Sequence, residues 1–344
     1  MPRFIYRLAE LDDLDAIHAL ALHLDSLNLP ADRVELAGMI TRSIASTRHD
    51  TPAGEFLFVL ESIHDRRVVG TSMILAAHGT PDDPHHSLRV DREERYSETL
   101  GRLFVHQTLT LVQSYTPHTE IGALVLDPAF RGHPDRLGRI LSFGRFLYIA
   151  MFRQRFCSEV QAELLPCLLD DGSSPLWEWL GRPFTGLGYQ EADRLSRRNR
   201  EFVRSLFPRG PIHVALAPET VRETIGVVGP TARPVAYMLE QAGFRFNRHL
   251  DPFDGGPHLA AATDHIDPIR RVVTATVGRL GGEGSTTVSR GLLAAVDRPF
   301  VAVATPYAHD EGTLFVPDET LTCLGLASGD RVTVVPLDPR GAPP

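Results

Sequence analysis

The sequence predicts an α/β fold: a mixed sheet flanked by helices, with a helical insertion and a small C-terminal all-β module. Three observations predict it. Apolar residues recur at strand and helix spacing in turn from Arg3 to Leu165, the stretch 168–230 is helical in pattern and repeatedly punctuated, and after about residue 258 short β runs take over. The 344 residues are enough for two domains at roughly 100–200 residues each. The change of texture sets their expected limits at 1–257, with the insertion near 168–230, and 258–344.

In order, Arg3 to Leu8 reads as a strand. Leu14, Ile17, Leu20, Ala21 and Leu24 then mark a helix opened by the acids Asp12 and Asp13, and Val34, Leu36, Met39, Ile40 and Ile44 mark a second. Phe56–Leu60 and Val68–Ala76 form a hairpin pattern around His64-Asp65-Arg66-Arg67. Residues 78–100 are polar and rich in Pro, His and Arg, and read as a loop. Ile121–Leu126 is a buried strand ending at Asp127-Pro128, Leu137 to Phe152 a long helix, and Val160–Leu165 a strand. In the insertion, Pro175 to Leu180 opens one helix and the charged run Glu191–Arg204 forms another. Val235–Leu239 leads to Gly243-Phe244 and a strand, and four β runs at 272–277, 300–304, 313–316 and 331–335 make the last module. Gly281 to Ser285 is a flexible loop by composition.

All 35 basic residues are arginine; the chain has no lysine. Schiff-base and pyridoxal-phosphate chemistry, Walker-A loops and protein kinases are thereby excluded. With 43 acids the formal charge is -8, which argues against nucleic acid and anionic membranes as partners. No stretch approaches the ~20 apolar residues of a membrane span, and the first residues carry no apolar signal core, so a cytoplasmic location is expected. Cys157, Cys167 and Cys323 lack knuckle or redox spacing and are read as reduced. His85-His86, near Asp82 and Asp83, reads as part of a solvated Pro-rich loop, and no metal is expected.

The segment carrying most chemistry is Leu124-Val125-Leu126-Asp127-Pro128-Ala129-Phe130-Arg131-Gly132, followed by a polar loop through Arg136 to Gly138 at the head of the long helix. A strand, a Gly turn and a helix N-terminus together point backbone N–H groups into one concavity, which suits a pyrophosphate. A parting strand also offers backbone groups to an amide-containing arm such as pantetheine. The arrangement resembles the acyl-CoA motif of GNAT-type N-acyltransferases. Leu124, Val125, Leu126, Arg131, Gly132, Arg136 and Gly138 are therefore the candidate CoA-binding residues, with Arg131 and Arg136 read either as phosphate ligands or as solvated loop charges.

Further strings are more specific. They include Phe58-Val59-Leu60-Glu61, Ala162-Glu163, Ser174-Pro175-Leu176-Trp177-Glu178, Ile225-Gly226, Gly243-Phe244-Arg245 and Asp251-Pro252-Phe253-Asp254-Gly255-Gly256-Pro257. Along nearly its whole length the chain resembles the arginine N-succinyltransferase family, which includes the arginine/ornithine succinyltransferase subunits. The resemblance implies a GNAT-type sheet, succinyl-CoA or another acyl-CoA as co-substrate, and the α-amine of arginine or a related amino acid as acceptor. It also implies direct attack in a ternary complex and a homo- or hetero-oligomer.

The resemblance further implies a histidine as general acid/base in a Gln-Val-His-Pro string. Here the string reads Val227-Val228-Gly229-Pro230, and glycine has no side chain to move a proton. His213 and Glu163 are the candidate substitutes. Glu163 and Asp254 are also the candidate carboxylates for a cationic acceptor. Asp254, before two glycines, is otherwise a turn residue, and Glu163 is otherwise the partner of an arginine. Trp177 and Trp179 read as helix-packing residues. The alternative function is a non-catalytic family member acting as a partner subunit or CoA-binding sensor.

Overall fold

The computed structural model describes residues 2–22, 29–48, 53–196, 199–280 and 288–338. Leu24, the segment Ser26-Leu27-Asn28 and the Gly281–Ser285 loop lie outside the described residues. The strands in chain order are β1 (Phe4–Leu8), β2 (Glu55–Ser62), β3 (Val68–His78), β4 (His85–Ser97), β5 (Arg102–Ser114), β6 (His118–Leu126), β7 (Glu159–Glu163), β8 (Ile212–His213), β9 (Arg245–Leu250), β10 (Pro257–Ala262), β11 (Val273–Arg279), β12 (Ser289–Ala295), β13 (Val301–Asp310), β14 (Thr313–Val316) and β15 (Arg331–Pro336). Three helices matter most: α1 (Leu14–Leu22), α2 (Arg33–Ser46) and α3 (Leu137–Met151). The chain forms two compact units, each built from separate stretches. Unit 1 is Met1–Ala77, Thr119–Ser158 and Ala262–Pro344; unit 2 is His78–His118 and Glu159–Ala261.

In unit 1 the strand order is β12-β15-β11-β14-β13-β1-β2-β3-β6, and β12 also pairs with β13. That last pairing closes five strands into the expected C-terminal β module, a small barrel with one parallel pair, β11 with β14. Its core is Val277, Leu293, Val303, Leu314, Val332 and Val334. The central strand β2 is buried on both faces, as its unbroken apolar run Phe56–Leu60 requires. One face packs Leu57 and Val59 with Ile17, Leu20, Leu36 and Ile40 of α1 and α2, where Asp32 caps α2 by accepting from Val34 N and Glu35 N. The other packs Tyr6, Phe56 and Phe58 with Tyr148 of α3. Gly144 permits this approach, because a Cβ there would stand 2.2 Å from the Tyr6 ring.

In unit 2 the order is β7-β10-β9-β4-β5-β8. The polar stretch read as a loop at 78–100 is not one: β4 and β5 form a long antiparallel hairpin registered from His85↔Ser114 to Ser97↔Arg102. The misreading has a physical cause. The buried start of β4 is His85-His86-Ser87-Leu88 and its outer half is solvated, so the strand carries almost no apolar alternation. The insertion is helical in short pieces, with Tyr189–Ser196 and Glu201–Leu206 in place of one charged helix. Trp177 is fully buried, stacks on Phe253 at 5.1 Å and donates from Nε1 to Leu187 O, a packing role as expected. Among the described residues no helix is long and apolar enough to cross a membrane.

Candidate functional site

In unit 1 the strand β6, which leads to the turn before α3, carries an irregularity. Ala123 sits at φ +46 inside β6, with its carbonyl accepting from Thr71 Oγ1 at 3.0 Å. A left-handed non-glycine residue within a strand is a backbone irregularity of the bulge kind, here just before Leu124, Val125 and Leu126. The chain then turns at Asp127, whose side chain accepts from Ala129 N, and at Gly132, at φ +73. Arg136 is the N-cap residue of α3 in the left-handed region, and its side chain makes no capping bond. Arg136 O accepts from Arg139 N at 2.8 Å and from Ile140 N at 3.3 Å, while the N–H groups of Leu137 and Gly138 open this 15-residue helix without a side-chain cap.

A polar cleft of about 230 Å³ lies beside this turn, lined by Pro134, Asp135, Arg136, Arg139, Arg290, Leu337 and Asp338. Of the predicted ligands Arg136 faces it, whereas Arg131 is exposed and is not among its walls. Arg139 and Arg290 are additions. Arg139 holds its guanidinium 4.7 Å over Phe143, and its Nε meets no hydrogen-bond partner among the described residues. Burial, then the neighbouring Arg136, lowers its proton affinity against the opposing pull of Asp338, which also lines the cleft. Arg290 is held by Asp135 at 3.3 Å. The signal for Arg139 was in the sequence, one helical turn after Arg136; Arg290 comes from the barrel and no local spacing predicts it.

In unit 2 Glu163 ends β7 and its carboxylate is shared by two histidines. His85 Nε2, on β4, donates to Oε1 at 2.8 Å, and His258 Nε2, on β10, is 3.5 Å from the same oxygen. Behind them Asn247 Nδ2 donates to Gln161 Oε1, and Gln161 Nε2 reaches His258 Nδ1 at 3.4 Å. Burial works to raise the Glu163 proton affinity, but His258 and the His85 hydrogen bond outweigh it and hold the carboxyl well below the usual range. His258 is fully buried and His85 nearly so, whereas Glu163 keeps about a quarter of its side chain exposed. It is the accessible member.

The Asp251–Pro257 string builds the adjoining corner. Asp251 Oδ1 accepts from Phe253 N and Asp254 N, and Asp254 Oδ1 accepts from Gly256 N at 2.7 Å, so Asp254 has the turn role its sequence suggests. Gly255 stands at φ +79, and a Cβ on Gly256 would lie 2.1 Å from Leu164 O. This contact sets His258 beside the end of β7. Burial, and then the Glu163 charge, raises Asp251 to about 7; burial and then Asp251 raise Asp254 well above the carboxylate range. Three carboxyls in one electrostatic group want a cation.

Gly229 is held tightly: its N–H donates to Leu165 O at 2.8 Å, and a Cβ there would fall 2.3 Å from Pro166 O. His213 lies on β8, its ring edge-on to His106 at 6.0 Å, and makes no recorded contact with the Glu163 group. Burial pushes the Cys157 thiol up, the opposite of an activated nucleophile. The histidine pair read as solvated is buried. His86 bonds Gln113 at 2.7 Å, while His85 joins His78 and His118 in a group whose ligand atoms lie within 4.8 Å of one another. His118 lies 33 positions beyond His85, so no local spacing in the sequence announces the group.

Comparison with known proteins finds the family described as AstA, arginine N-succinyltransferase beta subunit, matching residues 4–268. A protein named arginine N-succinyltransferase from Yersinia pestis (strain Pestoides F) is 34% identical over 319 residues, covering 90% of both chains. One of the same name from Escherichia coli (strain 55989 / EAEC) is 31% identical, covering 97% of both. Among solved structures, the arginine/ornithine succinyltransferase subunit AI from Pseudomonas aeruginosa superposes with a TM-score of 0.83 at 28% identity, over 98% of this chain and all of that one.

Proposed function

The chain belongs to the arginine N-succinyltransferase family and is an acyl-CoA N-acyltransferase; from that premise we propose that it transfers the succinyl group of succinyl-CoA to the α-amine of arginine, with Glu163 as the group that meets the acceptor amine. The observation that carries this reading is the Glu163 carboxylate itself, held anionic by His85 and His258 and left accessible on its other side.

On the donor side, Arg136, Arg139 and the uncapped first turn of α3 take CoA phosphate oxygens. Backbone N–H groups beside Ala123 receive the pantetheine amides. On the acceptor side the arginine cation satisfies the carboxyl group of Glu163, Asp251 and Asp254, which its arrival allows to ionise together. The neutral amine attacks the thioester carbon and forms the C–N bond. Nitrogen in that adduct is acidic enough for a carboxylate of low proton affinity to take its proton. The C–S bond then breaks, and the thiolate, of pKa roughly 8.5 when free, leaves without an acid. Such a path does not need the imidazole that Gly229 replaces. It also accounts for Leu239, buried four residues before Gly243, where a tyrosine acid is common in the superfamily.

The alternative, a CoA-binding sensor or partner subunit, rests on Gly229 alone. A thiol-release assay with succinyl-CoA and a panel of amino acids separates the two. Turnover with arginine is the expected result; binding of succinyl-CoA with no turnover across the panel transfers the conclusion to the sensor reading.

A further inference from the structure

We propose that His78, His85 and His118 form a binding site for one divalent transition-metal ion, of the class for which Zn2+ is the probe. His78 ends β3, His85 opens β4 and His118 opens β6, so the three stand together at the root of the β4–β5 hairpin, all within unit 2. His85 and His118 are buried and His78 is half-buried. The acyl transfer assigns no work to His78 or His118.

The rings surround a point and do not stack. Their centroids are 4.8 Å apart for His78–His85, 5.0 Å for His85–His118 and 5.5 Å for His78–His118, with interplanar angles of 69°, 77° and 52°. A ring centroid lies about 3.2 Å from a Zn2+ bound through ring nitrogen, so three tetrahedral imidazoles have centroids about 5.2 Å apart. The ligand atoms lie within 4.8 Å of one another, against about 3.3 Å in a closed site, a difference that side-chain rotation covers.

A second triad, His85, Glu163 and His258, satisfies the same distance test. In it His85 Nε2 already donates to Glu163 Oε1 at 2.8 Å. That bond instead gives His85 the role a metal-binding histidine usually has. One nitrogen donates to a carboxylate, which fixes the tautomer and leaves Nδ1 as the ligand. An all-imidazole set without thiolate favours zinc, nickel, cobalt or copper over magnesium or calcium, and three protein ligands leave a fourth position for water.

The test uses the full chain, dialysed against chelator and titrated with Zn2+ by calorimetry, with Co2+ as a spectroscopic probe and Mg2+ as control. The expected result is one Zn2+ per chain, tetrahedral d–d bands with Co2+, and no heat with Mg2+. His78→Ala and His118→Ala each weaken Zn2+ binding by at least about 100-fold, Glu163→Gln by about tenfold through the lost negative charge behind His85, and His258→Ala leaves it unchanged. Unaltered affinity in the first two variants, or loss confined to His258→Ala, overturns the assignment. Should a variant fail to fold, the unsubstituted chain decides: no Co2+ bands and no rise in melting temperature with Zn2+ also overturn it.

Discussion

The arginine cleft of unit 1 and the carboxylate–imidazole group of unit 2 handle charge by opposite means. In the cleft three arginines are spread over a helix start and a barrel strand and outnumber the acids Asp135 and Asp338 beside them. In unit 2 acids and imidazoles are packed so closely that neighbours decide who is ionised: Glu163 is pushed toward its charged form, while Asp251, raised to about 7, and Asp254 are pushed toward their protonated forms. The difference teaches that a site for a permanent anion can be built from permanent cations and wait for its ligand. A site for a cation that must also lose a proton has to keep its own acids in unequal states.

The largest effect expected from breaking that inequality is at Glu163. Glu163→Gln keeps the shape and the His85 contact but removes the charge, and kcat/KM should fall by about 10²–10⁴ with the melting temperature little changed. An unchanged rate would move the acid–base role elsewhere. The pH profile sharpens the same point. With Glu163 anionic throughout, the rate should climb with the ionisation of the acceptor α-amine, roughly pKa 8 or above, and show no limb near that of a free imidazole.

On the other side of the comparison, Arg139→Ala should raise KM for the acyl-CoA by roughly 10- to 100-fold, in line with about 1.5–3 kcal/mol for a charged hydrogen bond, while kcat stays close to that of the parent. Arg131→Ala, outside the cleft, should do far less, and equal losses would show that the cleft is not the phosphate site. Gly229→His tests whether the missing imidazole can be put back. With Pro166 O only 2.3 Å from the position of a Cβ, the variant should be less stable by about 1–3 kcal/mol, read from denaturant midpoints, and gain no activity.

The smallest expected effect is in stability against pH. Asp251 keeps its proton to about 7 in the folded chain, whereas the unfolded chain releases it near pH 4. Between those values the unfolded state binds fewer protons, so this group makes stability fall as pH rises. Asp251→Asn, whose side-chain oxygen can still accept from Phe253 N and Asp254 N, should flatten that decline by a few °C in melting temperature between pH 5 and 7.5.

How much of this was legible in the sequence follows burial and chemistry. Strands with apolar runs such as Phe56–Leu60, the α3 helix and the barrel strands 313–316 and 331–335 announce themselves by period. Glu163 and Asp254 were visible because they sit in distinctive strings. His85, His118 and His258 were not, for two reasons. His85 opens a strand whose buried start is polar, which erases the alternation that marks a strand, and the three meet only through pairings between stretches 33 to 173 positions apart, a separation read directly from their numbers. Arg290 was hidden in the same way, contributed to the cleft by a barrel whose own strand β12 the sequence pattern did not reveal.

The barrel carries a consequence for synthesis. Its last strand, β15, pairs with both β11 and β12, so the five-stranded ring cannot close until residue 336 has been made. Unit 2 is complete at residue 261. The unit that begins first on the ribosome is therefore the one that finishes last, its opening strand β1 waiting through some three hundred positions for β13. Pairings of such separation are slow to form and leave a strand edge unpartnered meanwhile. Ribosome-stalled chains of increasing length should accordingly become protease-resistant in unit 2 before unit 1.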